Sequence, residues 1–247
     1  MVLSMNTVPA TPDSFTIERT KNPTSSERIA DILTNPGFGN HFTDHMVSID
    51  WTRGADGADG SWHDARIEPF GPIQMSPAAA VLHYAQEIFE GLKAYRLADG
   101  GLALFRPRAN AERFRASARR MAMPELPDEL FLASIHELVK TDRDWIPTSA
   151  EGSLYLRPFM IASEVFLGVK PAAQYIYMVL ASSVGAYWKG GARAVSLWVS
   201  HDYTRAGAGG TGAAKCGGNY ATSLVAQQEA IRRGPDPQFL RQEVAYA

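Results

Sequence analysis

Residues 207–220 read Gly-Ala-Gly-Gly-Thr-Gly-Ala-Ala-Lys-Cys-Gly-Gly-Asn-Tyr, six glycines around one lysine, Lys215, with no carboxylate among them. Glycine lets the backbone take positive φ and come close to a ligand. It also leaves the lysine amine uncrowded, able to meet something bulky. In an apolar, glycine-lined setting an ammonium without a counter-charge gives up its proton readily, because burial disfavours the charged form. A free lysine has a pKa of about 10.4, and it must be lowered before the amine attacks an aldehyde to form a Schiff base. Taken alone, the residues fit a reactive lysine or a flexible surface loop.

Gly207, Gly209 and Gly212 also fit G-x-G-x-x-G, the dinucleotide-binding fingerprint. That fingerprint needs a strand running straight into it and a helix opening out of it. Here the apolar run at 195–199 is followed by polar residues 201–205, and Lys215 interrupts the exit, which argues against a nicotinamide cofactor. The chain has 247 residues, 45% hydrophobic and 20% charged, enough for two modest cores. A net charge of −2 offers no electrostatic footprint for nucleic acid or an anionic membrane. The single cysteine, Cys216, excludes an intramolecular disulfide or a multi-cysteine metal site and reads as a small buried filler. No apolar run is long enough to span a membrane, and residues 1–20 lack the plan of a secretory signal, so the cytoplasm is the expected address.

Residues 1–26, rich in Ser, Thr, Pro and Asn, read as a tail. From Phe38 the character changes. Val47, Ile49 and Trp51 alternate with polar residues as a half-buried strand does, and a turn at 54–60 returns the chain to a second strand near 65–67. His41 and His45 are four apart, but the lead into a strand favours two hydrogen-bonded histidines over a metal pair. Ser76-Pro77 reads as a helix start, with a helix through Tyr84, Ile88 and Phe89 that stops at Gly91. Asp99-Gly100-Gly101 is a hairpin turn. A helix rich in arginine follows, and the next one opens at Asp128 with Leu130, Phe131, Ile135, Leu138 and Val139 on its buried side. In the strand beginning at Ser153, period two puts Tyr155 and Arg157 on one face. Such a pair suits a carboxylate, although Arg157 paired to Glu164 is the structural alternative.

Residues 209–220, read with Leu-His-Tyr-Ala-Gln-Glu-Ile-Phe-Glu-Gly-Leu-Lys-Ala-Tyr at 82–95 and Ser-Leu-Tyr-Leu-Arg-Pro at 153–158, resemble the branched-chain amino acid aminotransferases. The resemblance implies an α+β, two-domain D-amino-acid-aminotransferase-like fold and pyridoxal 5′-phosphate as cofactor. It implies a lead-in at 1–37, a small domain at 38–183, a linker near 184–187 and a large cofactor domain from 184 on. Lys215 then carries the cofactor as a Schiff base. Arg113 and Arg205 match arginines that hold its phosphate, and Tyr220 matches a tyrosine bonded to its ring hydroxyl. Phe42, Tyr84, Phe89 and Tyr155 match an apolar substrate pocket, and Arg157 helps accept the distal carboxylate of glutamate. The implied reaction is transamination of leucine, isoleucine or valine with 2-oxoglutarate in a homodimer, without metal. The resemblance leaves the order among the three substrates open.

The resemblance runs from about Phe38 to Gly234 and stops at Pro235-Asp236-Pro237, where the family continues with a strand. The expectation is a cofactor domain only begun, from a shifted reading frame or a chain cut short. Glu243 lacks the surroundings of the family's ring-nitrogen glutamate and does not inherit its role. The alternatives are a non-catalytic remnant, or a fold relative such as D-amino acid aminotransferase or aminodeoxychorismate lyase.

Overall fold

The computed structural model describes residues 8–55, 59–149, 151–185, 198–233 and 244–246. Its centre is a sheet ordered β1-β3-β2-β8-β7-β5-β6. The strands are β1 (Thr16–Ile17), β2 (His45–Thr52), β3 (Ser61–Pro69), β4 (Glu87–Phe89), β5 (Leu92–Arg96), β6 (Leu102–Leu104), β7 (Ser153–Ala162) and β8 (Gln174–Val184). All the pairings are antiparallel except β1 with β3. Strands β4 and β5 lie end to end along one edge of β7, Phe89 opposite Phe159 and Leu92 opposite Leu156. Between them Glu90 and Gly91 break the run, so Glu90 turns inward and is fully buried. Gly91 carries no Cβ because the Tyr155 ring occupies that space.

The two long helices, α3 (Pro107–Arg120) and α4 (Asp128–Thr141), cover one face of the sheet. Alternation along β7 sends Leu154, Leu156 and Met160 to that face. Phe114 of α3, Phe131 of α4 and Tyr177 of β8 meet with ring centroids 5.6–6.2 Å apart. The buried Tyr177 hydroxyl is satisfied by Ser134 Oγ at 2.9 Å. The opposite face carries Tyr155 and Arg157.

Three expectations need correction. From residue 8 on, the lead-in is not a loose tail. Residues 16–17 add a strand to β3, and helix α1 (Ser26–Thr34), capped by Ser25, sends Ile32 into the core. His45 fastens this segment, its Nδ1 2.6 Å from Asp142 Oδ1 and its Nε2 accepting Thr20 N–H at 3.0 Å.

The helix expected through Phe89 is only one turn, α2 (Val81–Tyr84). Ala85 takes φ 48°, which ends it, and residues 87–89 form strand β4 because β7 offers them a ladder. Asn219-Tyr220 reads in the sequence as the opening of one helix through Leu224 and Ile231, and the structure makes it two, α5 (Gly217–Ala221) and α6 (Leu224–Arg233). Thr222 and Ser223 interrupt it by turning their hydroxyls back to the Asn219 and Tyr220 carbonyls. A parallel pair, β9 (Trp198–Ser200) with β10 (Val244–Tyr246), completes the described chain. Residues 186–187 of the linker and 195–197 of the apolar run lie outside the described residues.

Phe114→Ala should destabilise the protein by about 3–5 kcal/mol, read from the urea midpoint, because it empties a fully packed aromatic site. Burial pushes Tyr175 up to about 12 and Tyr177 further still. In the unfolded chain both ionise near pH 10. The native state therefore keeps its protons longer, and the stability these tyrosines contribute is whole below pH 10 and lost as pH rises toward 12. Melting temperatures across that window should fall, and less steeply in Tyr177→Phe.

Candidate active site around Lys215

Strand β4 has β7 on one edge, and on the other lies the segment that carries Lys215. Phe89 N–H donates to Lys215 C=O, and Lys215 N–H donates to Ser117 Oγ of α3, both at 2.9 Å. Two residues on, Gly217 N–H donates to the Glu87 carboxylate. A Cβ on Gly217 would overlap that carboxylate, so glycine is required there for close approach. The preceding loop is fixed by Arg120 of α3, which donates to the carbonyls of Gly209 at 2.9 Å and Gly210 at 2.7 Å. Gly209 sits at φ 74°, a conformation other residues rarely hold. Buried Asn219 closes the loop from behind. Its Nδ2 donates to the carbonyls of Thr211 and Ala214, and its Oδ1 accepts from Thr211 Oγ1.

With its backbone held on both sides, Lys215 sends Nζ to Tyr220 Oη at 2.9 Å. Nζ lies 4.6 Å from the Phe89 ring centroid, and the Phe89 and Tyr220 rings are 4.9 Å apart. Arg205 Cζ stands 5.0 Å from the Tyr220 ring. Arg157 stands against two aromatic faces, 4.9 Å from Phe89 and 5.2 Å from Tyr155, and donates twice to Tyr155 Oη. Glu164 is held instead by Lys170 and Ala173 N–H, so the alternative pairing of Arg157 to Glu164 is not formed.

Two carboxylates answer this cationic cluster. Glu90 accepts from Arg113 Nε at 2.5 Å and Nη2 at 2.7 Å, from Asn110 Nδ2 at 2.8 Å and from Gly91 N–H at 3.1 Å. The Glu90 hydrogen bond, against the effect of burial, holds the Arg113 guanidinium even more firmly protonated, with the Glu90 charge and Tyr220 adding to it. Glu87 is half-buried. Burial pushes its carboxyl above the usual range, opposed by Gly217 N–H and the Arg157 charge.

The chain is 55% identical to the branched-chain-amino-acid aminotransferase of Mycolicibacterium smegmatis over 226 residues, 91% of this chain and 60% of that protein. The Mycobacterium tuberculosis enzyme of the same name matches at 55% over 223 residues, 90% of this chain and 59% of that protein. The chain is a homologue of the branched-chain aminotransferases. The solved T.th. branched-chain amino acid aminotransferase with pyridoxamine 5′-phosphate superposes with a TM-score of 0.56 at 31% identity, over 77% of this chain and 58% of that one. The fold is therefore the aminotransferase α+β fold expected, and the chain spans about 60% of the length of its curated relatives. No protein-family model matches the chain.

Relative to these aminotransferase motifs, Lys215, Tyr220, Arg205, Phe89, Tyr155 and Arg157 converge, and Arg113 joins them through its pair with Glu90. Phe42 bridges to Ser182, opposite Tyr155 on β8, and stacks on Phe70 at 4.9 Å. Tyr84 Oη donates to Leu167 C=O, in the loop after β7. Sequence reasoning missed Glu87, Glu90, Ser117, Arg120 and Asn219 as builders of the site. A strand reading of 87–89 would have exposed Glu87, since period two puts it on the face of Phe89.

Arg113→Ala leaves the Glu90 carboxylate buried with its main donor gone. The urea midpoint should report a loss of about 1–3 kcal/mol, less than for a wholly buried pair because Arg113 is half exposed. Glu90→Gln added to Arg113→Ala should recover much of that loss. Equal stabilities of the single and double variants would contradict this account.

Proposed function

We propose that this site holds pyridoxal 5′-phosphate and transfers amino groups between leucine, isoleucine or valine and 2-oxoglutarate. The observation that carries the reading is Lys215, pinned by both backbone groups while its Nζ meets Tyr220 Oη. The donor set fits the cofactor. Lys215 supplies the amine for an aldehyde, Tyr220 a partner for a ring hydroxyl, and Arg205 a guanidinium fork suited to a phosphate, with Arg113 adding the Nη1 that its pair with Glu90 leaves over. The glycine loop adds open backbone, since a Cβ on Gly207 or Gly209 would meet nothing. The cofactor, when bound, supplies an electrophilic carbon and a ring that withdraws electrons.

The chain's own groups do the rest. Lys215 Nζ, the anchor for the cofactor, would also act as general base toward the proton on the substrate's α-carbon. Tyr220 Oη orients that amine, and Asn219 and Arg120 hold the loop that delivers it. Phe89, Tyr155, Phe42 and Tyr84 present apolar surface to a branched side chain, discriminating by only about 1–3 kcal/mol per methylene. Arg157 receives the second carboxylate of 2-oxoglutarate. We place residues 38–183 in a small domain and the Lys215 segment in a cofactor domain beginning at 184. We further infer a cytoplasmic homodimer. Cys216, the chain's one cysteine, is free and buried, as suits a reducing compartment. Among the described residues no helix is long and apolar enough to cross a membrane.

Incubation with pyridoxal phosphate, borohydride reduction and peptide mass mapping test the reading. The label should fall on Lys215 and vanish in Lys215→Ala. Tyr220→Phe should keep the label and form it several-fold more slowly. Label scattered over surface lysines, unchanged in Lys215→Ala, would refute it.

A further inference from the structure

A pocket that accepts both a branched hydrocarbon and a carboxylate meets a conflict at Arg157. A carboxylate satisfies the guanidinium. A leucine side chain in the same place strips it of water and offers nothing in return, and an uncompensated buried charge is costly. The aromatic faces of Phe89 and Tyr155 and one hydroxyl are weak substitutes for an anion.

We propose that Glu87 is the specificity-determining counter-ion of Arg157, ionised while an apolar side chain fills the pocket and protonated while a second carboxylate does. The inference rests on the reading of Arg157 as the carboxylate acceptor. Glu87 is two residues before Phe89 on the same face of β4, where Arg157 stands 4.9 Å from the Phe89 ring and the Glu87 carboxylate lies against Gly217. It is confined there because the Lys215 segment passes so close that Gly217 has no room for a side chain. Burial already raises the carboxyl, against Gly217 N–H and the pull of Arg157, and a second carboxylate beside it would push in the same direction.

The neighbouring charges are accounted for. Arg157 of β7 stands on the same face beside Phe89, and Lys93 of β5 lies opposite Tyr155 on that face of the sheet. Lys215 and Tyr220 come from the loop and α5, with Lys215 Nζ over Phe89. Arg113 of α3 is committed to Glu90.

The sign follows by linkage. A bound second carboxylate raises the Glu87 pKa further, so its binding takes up a proton. Affinity for dicarboxylates then rises as pH falls, until Glu87 is protonated in the free site too. An apolar monocarboxylate takes up no proton at Glu87, so its binding is flat across the same range.

The test uses the full chain loaded with pyridoxal phosphate, its label at Lys215 first verified by borohydride trapping. Glutarate and 4-methylvalerate are then titrated calorimetrically in buffers of different ionisation enthalpy, from about pH 5.5 to 8.5. Wild-type protein should take up a proton with glutarate, bind it up to about tenfold more tightly per pH unit of acidification, and bind 4-methylvalerate independently of pH. Glu87→Gln should lose the proton uptake and the pH dependence, bind glutarate about tenfold more tightly at neutral pH, and bind 4-methylvalerate several-fold more weakly. If Glu87 is only a structural prop, the variant weakens both ligands alike, and that result overturns the proposal. Proton uptake persisting in Glu87→Gln overturns it as well. Failure of the wild-type protein to label at Lys215 overturns the proposed function and this inference together, whereas labelling with pH-independent glutarate binding overturns this inference alone.

Discussion

Phe89 N–H reaches Lys215 C=O on the free edge of β4, and the rest of the site is arranged around that bond. A strand edge presents unpaired backbone groups that must find partners. Here the partner is a glycine-rich segment with too little side chain to keep it away. Ser117 takes the other backbone group of Lys215, and Glu87 takes the N–H of Gly217. The lysine is thus held at both backbone groups, while its Nζ reaches Tyr220 Oη across the Phe89 ring.

Electrostatics gives the site its second constraint. Lys215, Arg113, Arg205, Arg157 and Arg120 all serve a small region, and their mutual repulsion is offset by two carboxylates on β4 and the bulge after it. Glu90 is fully buried and satisfied by four donors, so its role is to fix Arg113 and the bulge. Glu87 is half-buried with one backbone donor and a neighbouring guanidinium, which leaves its charge free to respond to what binds. Strand β4 and the bulge after it thus carry one carboxylate for structure and one for adjustment, and burial together with the number of donors distinguishes them.

Much of the fold was legible where local pattern and tertiary packing agree. The Asp99-Gly100-Gly101 hairpin and the buried side of α4 appear as read, because turn chemistry and helical period agree there with the packing, whereas β2, expected half-buried, is buried on both faces from His45 to Ile49. The misreadings fall where tertiary partners override local preference. Residues 81–89 carry apolar residues at helical spacing, yet β7 offers a ladder that residues 87–89 join. Residues 16–17 have no pattern of their own and become a strand only because β3 has an open edge.

By itself the sequence determined the chemical cast: one lysine among glycines, a tyrosine five residues on, arginines in a helix and a strand, and an aromatic-rich segment before them. These are local facts, written in residue type and spacing. Only the tertiary structure decided which charges face each other. Glu87 and Gly217, Glu90 and Arg113, Arg120 and Gly209, and Lys215 and Ser117 are far apart in the chain, and each meeting depends on how a strand edge, a helix face and a loop come together. Pairing across such separations leaves no periodic trace in the sequence, because its cause is the packing of whole elements rather than the preference of any one residue.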